Sequence, residues 1–130
     1  MIVFDNVTKR YGSNIGIQDV SVEINKGDFV FLVGPSGAGK STFIKLITRE
    51  IRADSGKITV GDTDVTKISS RLVPKLRRDM GMVFQDFRLL PQKTVYENVA
   101  FAMEILKRSR RSIKRQVLTQ IGRASCRERV

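Results

Sequence analysis

Gly34-Pro35-Ser36-Gly37-Ala38-Gly39-Lys40-Ser41-Thr42 is the stretch that decides the reading of this chain. It fits Gly-x-x-x-x-Gly-Lys-Ser, the spacing of a phosphate-binding loop. Each position has a physical task. The glycines let successive backbone N–H groups curl around phosphate oxygens without Cβ clashes. A helix that follows points its positive end at the same anion. Lys40 is placed to reach the β- and γ-phosphates, and the Ser41 hydroxyl to sit on Mg²⁺.

The flanks supply the context the motif needs. Asp28-Phe29-Val30-Phe31-Leu32-Val33 is a short, nearly all-apolar run, which predicts a buried parallel strand. After the loop, Phe43, Ile44, Leu46, Ile47 and Ile51 form an apolar helical face, with Lys45, Thr48, Arg49 and Arg52 on the opposite one. The plainer reading, a glycine-rich turn with an exposed lysine, leaves this order of strand, loop and helix unexplained.

Composition narrows the class. A chain of 130 residues with 41% hydrophobic content is long enough for one globular domain with a core. No apolar run approaches the roughly 20 residues of a membrane span. The start, Met1-Ile2-Val3-Phe4-Asp5, lacks the pattern of a secretory signal. The lone Cys126 excludes an internal disulfide, and one Cys with no His argues against a zinc site. A cytoplasmic location is expected. The net charge of +11 is concentrated, with Lys107, Arg108, Arg110, Arg111, Lys114 and Arg115 crowding one short stretch. The run reads as a solvated helix junction. The alternatives are an anionic membrane surface or nucleic acid, the latter disfavoured because no aromatic residues interleave the charges.

Along the chain, Ile2–Val7 and Val20–Ile24 alternate as strands, and Asn25–Asp28 is turn chemistry. Lys57–Val60 reads as a strand and Gly61-Asp62 as a turn. A helix is predicted over Val73–Arg78 with Pro74 in its first turn. Gly81–Phe84 reads as a short buried strand ending at Gln85. Thr94-Val95-Tyr96-Glu97 has capping-box spacing, and Val95, Val99, Ala102, Met103 and Leu106 then fall on one helical face. A further helix begins near Ser112, with Ile113, Val117 and Leu118 as its apolar positions. Ile121–Val130 offers no amphipathic continuation and resembles the translation of a sequencing adapter. The expected organisation is therefore a native part over 1–120 and a non-native tail over 121–130.

Tyr11, after the first strand, presents a ring able to stack on adenine. Gln85, at a strand end, presents a carboxamide able to reach Mg²⁺ or an attacking water. The order aromatic, phosphate loop, strand-terminal Gln resembles the ATP-binding subunits of ABC transporters over residues 1 to about 120. The fold this implies is α/β, a P-loop NTPase nucleotide-binding domain with an N-terminal antiparallel β-subdomain, here truncated. The resemblance assigns adenine to Tyr11, the phosphates of ATP to Gly34–Thr42, and Mg²⁺ to Ser41 and Gln85.

Arg77–Pro91 and Thr94–Ala102 are most similar to the cell-division branch of that family. Lipoprotein-release and macrolide-export members share much of these segments. The branch implies an FtsX-like membrane protein docking near Asp86–Pro91, including Phe87, Leu89 and Leu90, and a homodimer in the intact protein. It also implies a peripheral position on the cytoplasmic membrane face, with no specific nucleic acid. The chain contains no Leu-Ser-Gly-Gly-Gln-like motif, no strand ending in Asp-Glu and no histidine. It is therefore expected to hold no catalytic residue beyond Gln85 as a metal and water sensor, and to resemble the N-terminal half of an ATPase. A small kinase and a non-catalytic nucleotide-binding half-domain are the competing readings.

Overall fold

The structure, a computed structural model, describes residues 1–84, 86 and 88–127, the last three by backbone alone. The chain divides into two compact units, Met1–Gly81 and Met82–Val130.

The first unit is built on a four-stranded antiparallel sheet of order β2-β1-β3-β4. Its strands are β1 (Ile2–Tyr11), β2 (Asn14–Ile24), β3 (Ser55–Val60) and β4 (Thr63–Asp64). Two short helices accompany it, α1 (Lys40–Ile47) and α2 (Val73–Arg78). The central strand β1 pairs Phe4 with Val22 on one side and with Ile58 on the other. A strict period of two would bring Asn6 to the core face after Phe4. Instead the register shifts between Phe4 and Val7, and Val7 is buried. Asn6 sits in the shift at φ 46° with its N–H on Ser21 Oγ at 2.9 Å. The extra residue reverses the parity of the strand, so both apolar side chains reach the core. Gly56 opposite is obligatory: its φ is 84°, and a Cβ there would lie 2.3 Å from the Asn6 carbonyl oxygen.

Phe4, Val7, Ile17 and Ile58 form the sheet side of the core, and Phe43, Leu46 and Ile47 of α1 the helix side, with Val65 and Leu76 completing it. Phe4 and Phe43 stack with ring centroids 4.3 Å apart. Thr48, expected on the solvent face, is buried, with its hydroxyl on the Ile44 carbonyl. Ile44, expected inside, is exposed.

The run Asp28–Val33 differs from expectation. It pairs with no strand among the described residues, and Phe29 is 83% exposed and Val33 82%. Gly81–Phe84 differs in the same way, with Val83 93% exposed. A buried parallel strand needs a hydrogen-bonded neighbour on each side and covered faces. Every pairing among the described residues is antiparallel and belongs to β1–β4.

The second unit is a helical hairpin of α3 (Val95–Ile105) and α4 (Arg110–Arg127). Thr94 closes a capping box: its hydroxyl accepts from the Glu97 N–H at 3.2 Å, and Glu97 Oε2 accepts the Thr94 N–H at 2.8 Å. The buried cluster is Ala100, Ile113 and Val117, with Tyr96, Met103 and Ile121 against it. The face of α3 is therefore rotated from the expected one: Val95, Val99 and Leu106 are exposed, as is Leu118 on α4. The helix is apolar nearly all round, so periodicity alone does not choose the strip that α4 covers. Nor does α4 break at residue 121. It runs on to Arg127, and Ile121 follows Ile113 and Val117 at four-residue spacing into the cluster.

The amide and hydroxyl of Thr94, then Lys93, hold the Glu97 carboxyl below the usual carboxylate range. A lowered folded pKa means the cap contributes fully above the unfolded value of about 4.3 and is lost as pH falls through the folded value. The protection of the amides at the start of α3, taken relative to their intrinsic exchange rate at each pH, is therefore expected to fall on acidification below about pH 4. In Glu97→Gln the same amides should lack that pH dependence.

Candidate functional site

The phosphate loop lies between the exposed run 28–33 and α1, and its last glycine caps the helix. Gly39 is the N-cap at φ 86°, and its carbonyl accepts the Phe43 N–H at 2.9 Å. A Cβ on Gly39 would sit 2.2 Å from the Gly16 carbonyl oxygen and 2.7 Å from Ile17 Cγ2. Only glycine satisfies both the dihedral and the space. The loop is thus pressed onto β2. Gly16, which drew no attention in the sequence, is the other half of that contact. A Cβ there would meet Tyr11 Cε2 at 2.8 Å. The one local signal for it is a glycine inside the alternating run Asn14-Ile15-Gly16-Ile17, the mark of close backbone approach.

Tyr11 ends β1 rather than following it. Its hydroxyl pairs with Thr42 Oγ1 at 3.3 Å, while the residue is 45% exposed. The Lys9 ammonium lies 5.7 Å from the ring centroid and is held by Asp54 Oδ1 at 2.8 Å. That hydrogen bond, followed by one from the Arg10 N–H, keeps the Asp54 carboxyl below its ordinary range. The ring therefore has a fixed edge and an open surface.

Tyr11, Ile15, Gly37, Lys40, Ser41 and Thr42 are among the residues that line a cavity of about 640 Å³. Among the described residues no carboxylate lines it. The first turn of α1 carries no acidic residue, and no side chain caps its N-terminus. Its N–H groups are left for an external acceptor. Lys40 Nζ donates to the carbonyls of Gly34 at 2.5 Å and Pro35 at 2.6 Å, and it makes no ion pair among the described residues. A second cavity, about 510 Å³ between the β3–β4 turn and α2, is lined by Asp62, Lys75 and Asp79 together with apolar side chains, and so lacks the uncompensated positive charge of the first.

The donor set fits a nucleotide triphosphate: N–H groups and an ammonium for phosphate, and an open tyrosine ring beside Ile15 for a base. It also fits a metal delivered with the nucleotide. Among the described residues no group of three His, Cys, Asp or Glu could hold a metal alone, and Ser41 offers one exposed hydroxyl. Mg²⁺ is commonly bound that way, by few protein oxygens and the substrate's phosphates. Gln85 and Phe87 lie outside the described residues. No described helix is long and apolar enough to cross a membrane.

Loop, helix N-terminus and β-hairpin together define a P-loop nucleotide-binding protein. The model of the ABC transporter family matches residues 17–130, and the chain belongs to that family. It is 48% identical over 119 residues to the cell division ATP-binding protein FtsE of Streptococcus pneumoniae, covering 91% of this chain and 52% of the relative. It is 50% identical over 127 residues to FtsE of Mycobacterium tuberculosis, covering 94% and 55%. The dimeric ABC transporter cassette MJ0796 superposes with a TM-score of 0.83 at 31% identity, over 92% of this chain and 55% of that one. Its dimeric post-hydrolysis state bound to ADP and Pi gives 0.80 at 32% identity, over the same shares. The chain thus spans about half the length of the curated relatives it matches. The α/β P-loop class with an N-terminal antiparallel sheet stands, apart from the two runs that are not strands.

Gly39→Ala is expected to weaken binding of a fluorescent ATP analogue by about tenfold or more, because the loop must leave both its left-handed dihedral and β2. Gly37→Ala is the comparison. Gly37 also has a positive φ, 81°, but no atom lies within 4 Å of a Cβ there, so its loss should be smaller.

Proposed function

We propose that this chain is the nucleotide-binding part of an ABC ATPase of the cell-division kind, which couples ATP binding and hydrolysis to an FtsX-like membrane partner. The observation that carries the nucleotide reading is the carboxylate-free cavity in which Lys40, the N-terminus of α1 and the Tyr11 ring converge. The similarity to FtsE proteins supports the cell-division assignment.

In this reading the Lys40 ammonium leaves the Gly34 and Pro35 carbonyls for the β- and γ-phosphates. The N–H groups of the loop and of the first turn of α1 surround the β-phosphate, with that of Ala38 leaving the Pro35 carbonyl, and Tyr11 stacks on adenine. Ser41 and Gln85 are the residues that would hold Mg²⁺, which would supply charge neutralisation at the phosphates. Hydrolysis additionally needs a base to position water, and a histidine and a strand-ending Asp-Glu are not in this sequence. The expected behaviour of the chain by itself is weak or no ATP binding, without turnover. The intact subunit is expected to act as a homodimer, peripheral on the cytoplasmic face of the membrane.

Isothermal titration with Mg-ATP tests this reading. Lys40→Ala should abolish binding. Tyr11→Ala should cost about tenfold, for ATP and GTP alike, because stacking does not distinguish the two bases. Phosphate release above background by the wild-type chain, lost in Lys40→Ala, would overturn the view that it cannot turn over alone.

The segment Asp86–Pro91 is the proposed seat of the membrane partner. Leu89 is 68% exposed and Leu90 is also exposed. The end of the segment is fixed by Asn98, whose Oδ1 accepts the Leu90 N–H at 2.8 Å while Nδ2 donates to the carbonyls of Leu90, Lys93 and Thr94. Exposed leucines beside a hydrogen-bonded segment end suit a docked helix. Leu89→Glu in the intact subunit is expected to lose co-purification with the membrane partner while keeping ATP binding. Retained co-purification would remove this assignment.

A further inference from the structure

We propose that the turn between α3 and α4, with the first turns of α4, is a docking surface for anionic phospholipid headgroups. This goes beyond the nucleotide reading and does not rest on it. Lys107, Arg108, Arg110, Arg111, Lys114 and Arg115 are all exposed. None of them makes an ion pair among the described residues. No acidic residue occurs from Ile105 through Gln120. Elsewhere exposed cations of this chain do find carboxylates, as Lys45 does Glu50 and Lys93 does Glu97. The patch is therefore a concentrated, uncompensated positive charge.

Its placement on the helix is electrostatically costly without an anion. The first turn of α4 carries Arg110 and Arg111 and no acid. The helix dipole disfavours cations at that end, so a bound anion relieves both the dipole and the mutual repulsion. Ser109, Arg111, Ser112 and Arg115 line an open cleft of about 330 Å³, so two arginines and two serines border one opening. Phosphate is the group that this set recognises.

Apolar residues beside the charge select lipid over nucleic acid. Arg111, Lys114, Arg115 and Leu118 follow the spacing i, i+3, i+4, i+7 and share one face, away from buried Ile113 and Val117. Leu118 is exposed, as are Ile105 and Leu106 at the end of α3. Cations with flanking leucines on an exposed helix are the pattern of interfacial membrane binding. Nucleic-acid surfaces interleave their cations with aromatic rings for stacking, and no aromatic residue follows Phe101.

Flotation of the purified chain with protein-free vesicles tests the proposal, and floated material excludes aggregates. Binding is expected to rise with the fraction of phosphatidylglycerol in phosphatidylcholine and to fall steeply with salt. The triple variant Arg111→Gln, Lys114→Gln, Arg115→Gln should bind about a hundredfold more weakly, near fivefold per cation. Because the chain has no tryptophan, Leu118→Trp gives a single reporter whose emission should shift to the blue on anionic vesicles. The salt series and this reporter decide the matter even if the triple variant loses helix by circular dichroism. Equal binding to neutral vesicles, an unmoved reporter emission, or undiminished binding by a folded triple variant would overturn it. Tighter binding to a DNA duplex than to anionic vesicles at the same salt would overturn it in favour of nucleic acid.

Discussion

The contact on which the site depends is the approach of the Gly39 backbone to the Gly16 carbonyl, too close for any Cβ to stand between them. It makes the phosphate loop part of the β-hairpin rather than a free excursion. Three other interactions act in the same direction. The Tyr11 hydroxyl reaches Thr42, Phe4 stacks on Phe43, and Ile17 joins Phe43, Leu46 and Ile47 in the core. Together they register β1 and β2 against α1, so that the ring proposed for the base and the helix proposed for phosphate share one cavity wall. The loop has few backbone hydrogen bonds of its own, the Ala38 N–H donating to the Pro35 carbonyl at 3.2 Å. Its order has to come from outside, and β1 and β2 supply it.

The parts legible in the sequence are those fixed by short-range chemistry. The capping box at Thr94 and Glu97, Pro74 in the first turn of α2, and the Gly61-Asp62 turn all depend on residues a few positions apart, and all are as read. The phosphate loop was legible for the same reason, because its glycines and Lys40 act within nine residues. What was not legible depends on partners distant in the chain. Asp28–Val33 and Gly81–Phe84 carry strand-like sequences, but a strand exists only against another strand, and the described residues provide neither with one. The strip of α3 that is buried was equally hidden. Val95, Val99 and Leu106 are as apolar as Tyr96, Ala100 and Met103, and only the position of α4 distinguishes them. Gly16 was missed because its role is a contact with Gly39, far along the chain. The roles proposed for Tyr11 and Gln85 rest on their order along the chain with the loop, and Gln85 lies outside the described residues.

The two ends of α1 are treated in opposite ways, which explains how a helix of eight residues can leave its N-terminus open. Its C-terminus closes in a Schellman arrangement: the Glu50 N–H donates to the Lys45 carbonyl at 2.8 Å and the Arg49 N–H to that of Leu46 at 3.1 Å. The left-handed position is held by Arg49 at φ 55°, where glycine is usual. The arginine offsets its strain with a hydrogen bond from Nε to the Val65 carbonyl at 2.9 Å, tying the helix end to the turn after β4. Burial and the neighbouring Arg52 lower the Arg49 pKa, yet a guanidinium keeps its proton in proteins. Arg77 of α2 then donates to the Thr48 and Arg49 carbonyls, placing a second cation at the negative end of the dipole. Fixed at its C-terminus by two guanidinium groups and along one side by the core, the helix needs no N-terminal cap for stability. A side-chain cap there would compete for the same N–H groups with the phosphate proposed to bind, and the arginines at the far end secure the helix without one.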